Sequence, residues 1–156
     1  MLYIYMRKSV PKKGLFIPTN PKKYKGNSQQ IVYRSMLEKR VMTWLDENSS
    51  VLEWQSEEFY IPYYDPTVGH MRRYFPDIWM RARTPDGGEK TILIEIKPKS
   101  QTKPPKQTKR KSKNYLMEVV NWGVNNAKWE AAKKYCDHRG WEFKLVTEED
   151  MGLSYK

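Results

Sequence analysis

The chain has 156 residues, with 29 Lys or Arg against 18 Asp or Glu and a net charge of +11. That length fits one domain able to bury a core. The lone Cys136 excludes an intrachain disulfide, and no stretch has the roughly 20 apolar residues of a membrane helix. The opening Met1-Leu2-Tyr3-Ile4-Tyr5-Met6 is too short for the apolar core of a signal peptide and leads into Arg7-Lys8. The expectation is a soluble, intracellular protein.

The charge is segregated. Residues 1–34 hold eight basic residues and no acid, residues 97–113 hold eight more and no acid, and the remainder is net acidic. An acidic body with two basic segments predicts a polyanion partner, nucleic acid first. Neither segment has the apolar face of a membrane-surface helix, which makes a membrane partner the weaker reading.

In chain order, residues 1–30 read as a basic extended arm, rich in Lys, Pro, Gly and Asn, and residues 31–156 as the folded domain. Phe16, Tyr24 and Tyr33 favour an arm that docks. Ser35-Met36-Leu37-Glu38 matches a capping box and starts a helix, with Leu37, Val41, Trp44 and Leu45 as its core stripe. Glu38 is fully accounted for as the third residue of that cap. The helix stops near Asn48.

Val51–Tyr64 is rich in aromatic and branched residues and reads as one strand, closed by Pro62 and the turn after Asp65. His70, beside that turn, reads as solvated rather than as a ligand. A second strand spans Tyr74–Met80 and a third Thr91–Lys97, joined by Thr84-Pro85-Asp86-Gly87-Gly88. Residues 98–113 form a basic loop, with Pro104-Pro105 against regular structure. A long helix follows over Asn114–His138, with Leu116, Val119, Val120, Gly123, Val124, Ala127, Ala131 and Tyr135 on one stripe. Cys136 on that helix reads as packing. Trp141–Val146 reads as a strand, and Thr147-Glu148-Glu149-Asp150 as a helix start. The order predicts α/β, with a mixed central sheet flanked by helices.

The chemistry concentrates on the hairpin. In the third strand Ile92, Ile94 and Ile96 share one face, and Leu93, Glu95 and Lys97 the other. Asp77 repeats the anomaly of an acid in an apolar strand. Two carboxylates and an ammonium suit a hard cation bound by carboxylate oxygens. A surface ion pair across two strands accounts for the same residues equally well.

The acid in the first helix, Glu38, then Pro76-Asp77, then Glu95-Ile96-Lys97 eighteen residues on, resembles the signature of the PD-(D/E)xK nucleases. Tyr33-Arg34-Ser35-Met36-Leu37-Glu38 is similar to the same segment of junction-resolving and transposon-end endonucleases. Tyr33-Arg34-Ser35, Trp44-Leu45-Asp46, Arg72-Arg73-Tyr74-Phe75, Ile94-Glu95-Ile96-Lys97-Pro98-Lys99 and Trp129-Glu130-Ala131-Ala132 resemble the head completion nucleases of T-even-like tailed phages. That resemblance covers about Pro11 to Leu153 and leaves Met1–Val10 extra.

The resemblance implies a restriction-endonuclease-like core and a Mg²⁺-dependent deoxyribonuclease, with Mn²⁺ as a substitute, acting before heads join tails. Asp77, Glu95, Glu38 and the Ile96 carbonyl would hold the ion, and Lys97 would orient water or stabilise developing charge. Arg34, Arg72, Arg73, Lys99, Lys103, Lys106, Lys109, Arg110, Lys111 and Lys113 would contact DNA. The capsid portal and other head completion proteins are the implied partners. The host cytoplasm and the virion are the implied locations. Two other readings stay open: a catalytically inert DNA-binding assembly protein, and an endonuclease of recombination or transposition.

Overall fold

A computed structural model describes residues 13–152. The expectations for Met1–Val10 therefore lie outside the described residues. Strand β1 (Gly14–Leu15) pairs antiparallel with β2 (Val32–Tyr33). Between them the basic segment packs rather than trailing: Phe16, Tyr24 and Ile31 are buried in the main core, and Phe16 and Tyr24 meet Trp54 edge-on.

Helix α1 (Met36–Glu47) starts as its cap predicts, with the Glu38 N–H donating to Ser35 Oγ at 3.0 Å. Leu37, Val41 and Leu45 are buried as expected, but Trp44 is exposed and Met42 takes the expected place in the core. At about 100° per residue, Met42 and Trp44 flank the stripe on opposite sides, so the period cannot choose between them.

The basic segment is fastened to the far end of α1. Lys23 Nζ donates to the carbonyls of Leu45, Asp46 and Asn48 at 2.8, 2.9 and 2.7 Å. The buried Asp46 carboxylate accepts from the N–H groups of Thr19 and Asn20 at 2.7 and 2.9 Å. An ammonium on the last carbonyls of a helix satisfies orphan acceptors at its negative end. Lys23 is thus structural. Lys23→Met should cost about 1.5–3 kcal/mol, the range for hydrogen bonds to a charged group. Thermal melting should show a fall of roughly 5 °C for a domain of this size.

The predicted strand over Val51–Tyr64 is in fact two. β3 (Val51–Ser56) and β4 (Ile61–Asp65) belong to different sheets. The chain breaks at Glu57, a non-glycine residue at φ 52°. β4 pairs with β5 (His70–Tyr74) around a turn in which Gly69, at φ 73°, donates to the Asp65 carbonyl. The predicted Tyr74–Met80 strand is also split: Tyr74 ends β5, and β6 (Ile78–Arg83) starts after Asp77. Prolines account for part of this, since Pro76 has no N–H to offer a ladder. Pro62 is tolerated in β4 because that hairpin forms a sheet of two strands, both at an edge.

β7 (Glu89–Ile96) pairs antiparallel with β6 through the Thr84–Gly88 turn. The loop then makes a short 3-10 turn at Lys99–Thr102, a regular piece the composition argued against. α2 (Lys113–Asp137) crosses over to β8 (Glu142–Val146), parallel to β7. The main sheet runs β3-β6-β7-β8 and is mixed, as predicted. Thr147–Asp150 forms a turn, not a helix, closed by the Thr147 N–H on Asp150.

The sheet separates two cores. Ile78, Met80, Ile92, Ile94 and Ile96 pack with Leu37, Val41 and Leu45 of α1. Trp79 and Leu93 on the other face pack with Tyr63, Tyr74, Ala132 and Cys136. Burial pushes the Cys136 thiol up to about 11, in keeping with a packing role. The predicted α2 stripe is only half buried: Val124, Ala127, Ala131 and Tyr135 pack, while Leu116, Val119 and Val120 stay exposed.

Candidate active site

The β6–β7 register pairs Ile78 with Ile94. One step further sets Asp77 opposite Glu95, and opposed residues of an antiparallel pair share a face. Both acids therefore join the Trp79–Leu93 face at its end, where the strands stop.

Each acid is held by a different part of the chain. Asp77 Oδ2 accepts from the Ile96 N–H at 2.7 Å. The buried Glu95 accepts a short hydrogen bond from the Tyr74 hydroxyl. Its other oxygen lies 3.6 Å from Lys97 Nζ. Burial, and then the negative charge of Glu95, hold the Asp77 carboxyl well above the usual carboxylate range. Burial and the Glu95 carboxylate likewise push the Tyr74 hydroxyl up, so it remains a donor to Glu95.

Glu38 stands nearer to its capping role than the sequence alone could settle. Its Oε2 accepts from the Arg34 N–H at 2.8 Å, closing the cap one residue before Ser35. Burial raises its carboxyl, and the backbone bond to Arg34 opposes this. Its charge nonetheless acts on Asp77, so both residues lie in one electrostatic neighbourhood. Glu38, Ile96, Lys97 and Gln101 line a cleft of about 640 Å³ between the start of α1 and the end of β7.

The pair passes a simple test for a divalent ion. Two carboxylates face each other, and the raised Asp77 carboxyl reflects burial first and the charge of Glu95 second. Among the described residues, no group of three or more His, Cys, Asp or Glu side chains stands ready to enclose an ion. The Ile96 N–H orients Asp77, a contact separate from the expected role of the Ile96 carbonyl.

The expected DNA contacts divide into paired and open groups. Arg34 is held in a two-pronged pair by Glu57 at 2.5 and 2.6 Å. Arg72 pairs with the buried Asp65 at 3.3 Å, and the Arg73 guanidinium lies 4.8 Å from the Tyr60 ring centroid. Lys99 pairs with Glu149 at 2.5 Å. Lys103, Lys106, Lys109, Arg110, Lys111 and Lys113 are exposed, with no ion-pair partner among the described residues. His70 is exposed, as expected.

Three residues of this neighbourhood were not singled out in the sequence. Tyr74 carries no sequence signal for its contact with Glu95. Glu57 lies one residue past β3 and donates its N–H to the Asp77 carbonyl at 3.3 Å. Lys128 reaches the site from α2, on the packed face of the helix.

Comparison with known proteins agrees with this architecture. The family described as TnsA-like endonuclease, N terminal, matches residues 48–148. The head completion nuclease of Enterobacteria phage T4 is 39% identical over 148 residues, covering 92% of this chain and 96% of that protein. The chain belongs to the head completion nuclease family. It is a nuclease with a restriction-endonuclease-like α/β core, and the family match spans the hairpin that carries Asp77, Glu95 and Lys97. No helix among the described residues is long and apolar enough to cross a membrane.

Proposed function

We propose that this member of the head completion nuclease family is a Mg²⁺-dependent deoxyribonuclease of the PD-(D/E)xK type, with Asp77, Glu95 and Lys97 at its centre. Its place is the finishing of phage heads in the host cytoplasm, before tails join. The facing pair Asp77–Glu95 with Lys97 beside it is the observation that carries the reading. The capsid portal and other head completion proteins are its proposed partners in that step.

Asp77 and Glu95 would hold the ion, which when bound activates water and neutralises charge on the phosphate. Ile96, through its N–H, fixes the orientation of Asp77. The Tyr74 hydroxyl fixes Glu95 from the end of β5, a strand of the separate β4-β5 sheet. Lys97 Nζ, 3.6 Å from Glu95, is free to swing toward a phosphate oxygen or the attacking water. Its ammonium would stabilise the negative charge that develops there. The exposed basic loop follows Lys97, the first residue past β7, so DNA guided along it arrives at the same place.

Cleavage of linear, circular and branched DNA with Mg²⁺, with Mn²⁺ and with chelator tests the reading. Cutting with either ion and none in chelator is expected. Equal cutting in chelator would remove the metal from the account.

Glu38 has a test of its own. Glu38→Gln keeps a side chain that can serve in a capping box. The melting temperature should therefore hold, while loss of a negative charge beside the proposed ion should lower cleavage about tenfold, or about 1.4 kcal/mol. A variant that cuts at the wild-type rate would assign Glu38 to capping alone.

A further inference from the structure

Lys128 has no place in the signature and lies 31 residues beyond Lys97, on α2. Its side chain turns inward. The ammonium stands 5.9 Å from the Tyr63 ring centroid and 5.7 Å from that of Tyr74. Tyr74 is the residue whose hydroxyl holds Glu95, so Lys128 is one side chain away from the acid pair. Among the described residues no carboxylate lies within ion-pair distance of it.

A half-buried ammonium facing ring edges and faces, without a carboxylate of its own, is an unfavourable arrangement in the free protein. Burial draws its pKa down, and the Glu95 carboxylate opposes that. Lys97 and Arg72 add positive charge around the same space. Cations gathered on two sides of a carboxylate pair are suited to an incoming anion. The carboxylates take the ion, and the cations take the phosphate oxygens that come with it.

We propose that Lys128 is a second phosphate-binding lysine of the cleavage site, reaching the DNA phosphodiester from α2 while Lys97 reaches it from β7. This rests on the nuclease site proposed above. The competing account is structural: the Lys128 stem covers Tyr63 and Tyr74, and its ammonium merely rests on the rings.

Lys128→Met and Lys128→Arg separate the two accounts in the full chain. Met keeps the stem and removes the charge; Arg keeps the charge. In Lys128→Met, kcat on linear duplex DNA with Mg²⁺ should fall by about 100-fold, the loss seen when one donor to developing charge is removed. Lys128→Arg should recover to within about tenfold of wild type. The melting temperature of Lys128→Met should equal or exceed that of wild type, because a desolvated charge is gone. In chelator, where nothing is cut, the log–log salt slope of DNA binding should drop by about one unit, the value for a single lost phosphate contact.

Wild-type kcat and an unchanged salt slope in Lys128→Met would overturn the proposal. So would a loss of rate that follows a fall in melting temperature and is shared by Lys128→Arg. An Asp77→Ala control distinguishes the failures. If Asp77→Ala is dead and Lys128→Met is fully active, only the role of Lys128 falls. If Asp77→Ala still cuts, the site and this inference fall together.

Discussion

Asp77→Ala and Glu95→Ala should each lower cleavage by about 1,000-fold or more with the fold intact. Losing one of two ligands to the ion forfeits several kcal/mol of charge stabilisation, and each 1.36 kcal/mol is a factor of ten. The two variants should differ in stability. Asp77 sits where its carboxyl is raised, by burial first and Glu95 second. A carboxyl with a folded pKa above its unfolded value binds more protons when folded. Its ionisation therefore removes stability as pH rises from about 4, the unfolded value, through the raised folded value. In chelator, Asp77→Asn should thus melt above wild type at neutral pH, and the gap should close at acid pH. Thermal melts across pH check this. A neutral-pH melting temperature below that of wild type would mean that burial and Glu95 do not destabilise the ionised Asp77.

Replacing Lys109, Arg110 and Lys111 together by Ala should weaken DNA binding regardless of sequence. All three are exposed in the loop between β7 and α2, and their charges have no carboxylate partner among the described residues. Phosphate contacts position a duplex without reading it. Each phosphate contact contributes about 0.9 to the log–log slope of affinity against salt, so up to roughly three units should disappear. Turnover at saturating DNA should survive, because Asp77, Glu95 and Lys97 are untouched. Binding by an Asp77→Ala background, with and without the triple change, is measured across a salt series. Coincident slopes would move the DNA track to other basic groups, the N-terminal segment first.

The sequence carried α1 almost to the residue because its cap is local, with Ser35 accepting from an N–H three residues on, and the apolar stripe placed α2 within one residue of its ends. The hairpin and its acid pair were equally legible, since Glu95 interrupts an apolar run and the Thr84–Gly88 turn sets Asp77 opposite it. The joints were not. Val51–Tyr64 and Tyr74–Met80 each look continuous by composition, yet each breaks where the chain changes sheets at Glu57 or Phe75-Pro76. Sheet membership is a tertiary choice that local propensity does not encode. The docking of the basic segment depends on Lys23 reaching carbonyls more than 20 residues away, and charge counting alone reads that lysine as a DNA contact. Tyr74 and Lys128 come to the site across different elements, so no spacing rule could collect them.

Calorimetric titration of Mg²⁺ tests the central claim most directly, because it needs no DNA and no turnover. Wild type, Asp77→Asn and Glu95→Gln are compared under one buffer condition, each shown to be folded by its melting curve. Saturable binding in wild type, with a matching rise in melting temperature as the ion binds the folded state, is the predicted result. Both effects should be lost in each variant. Binding of equal strength in all three proteins would contradict a site built on Asp77 and Glu95.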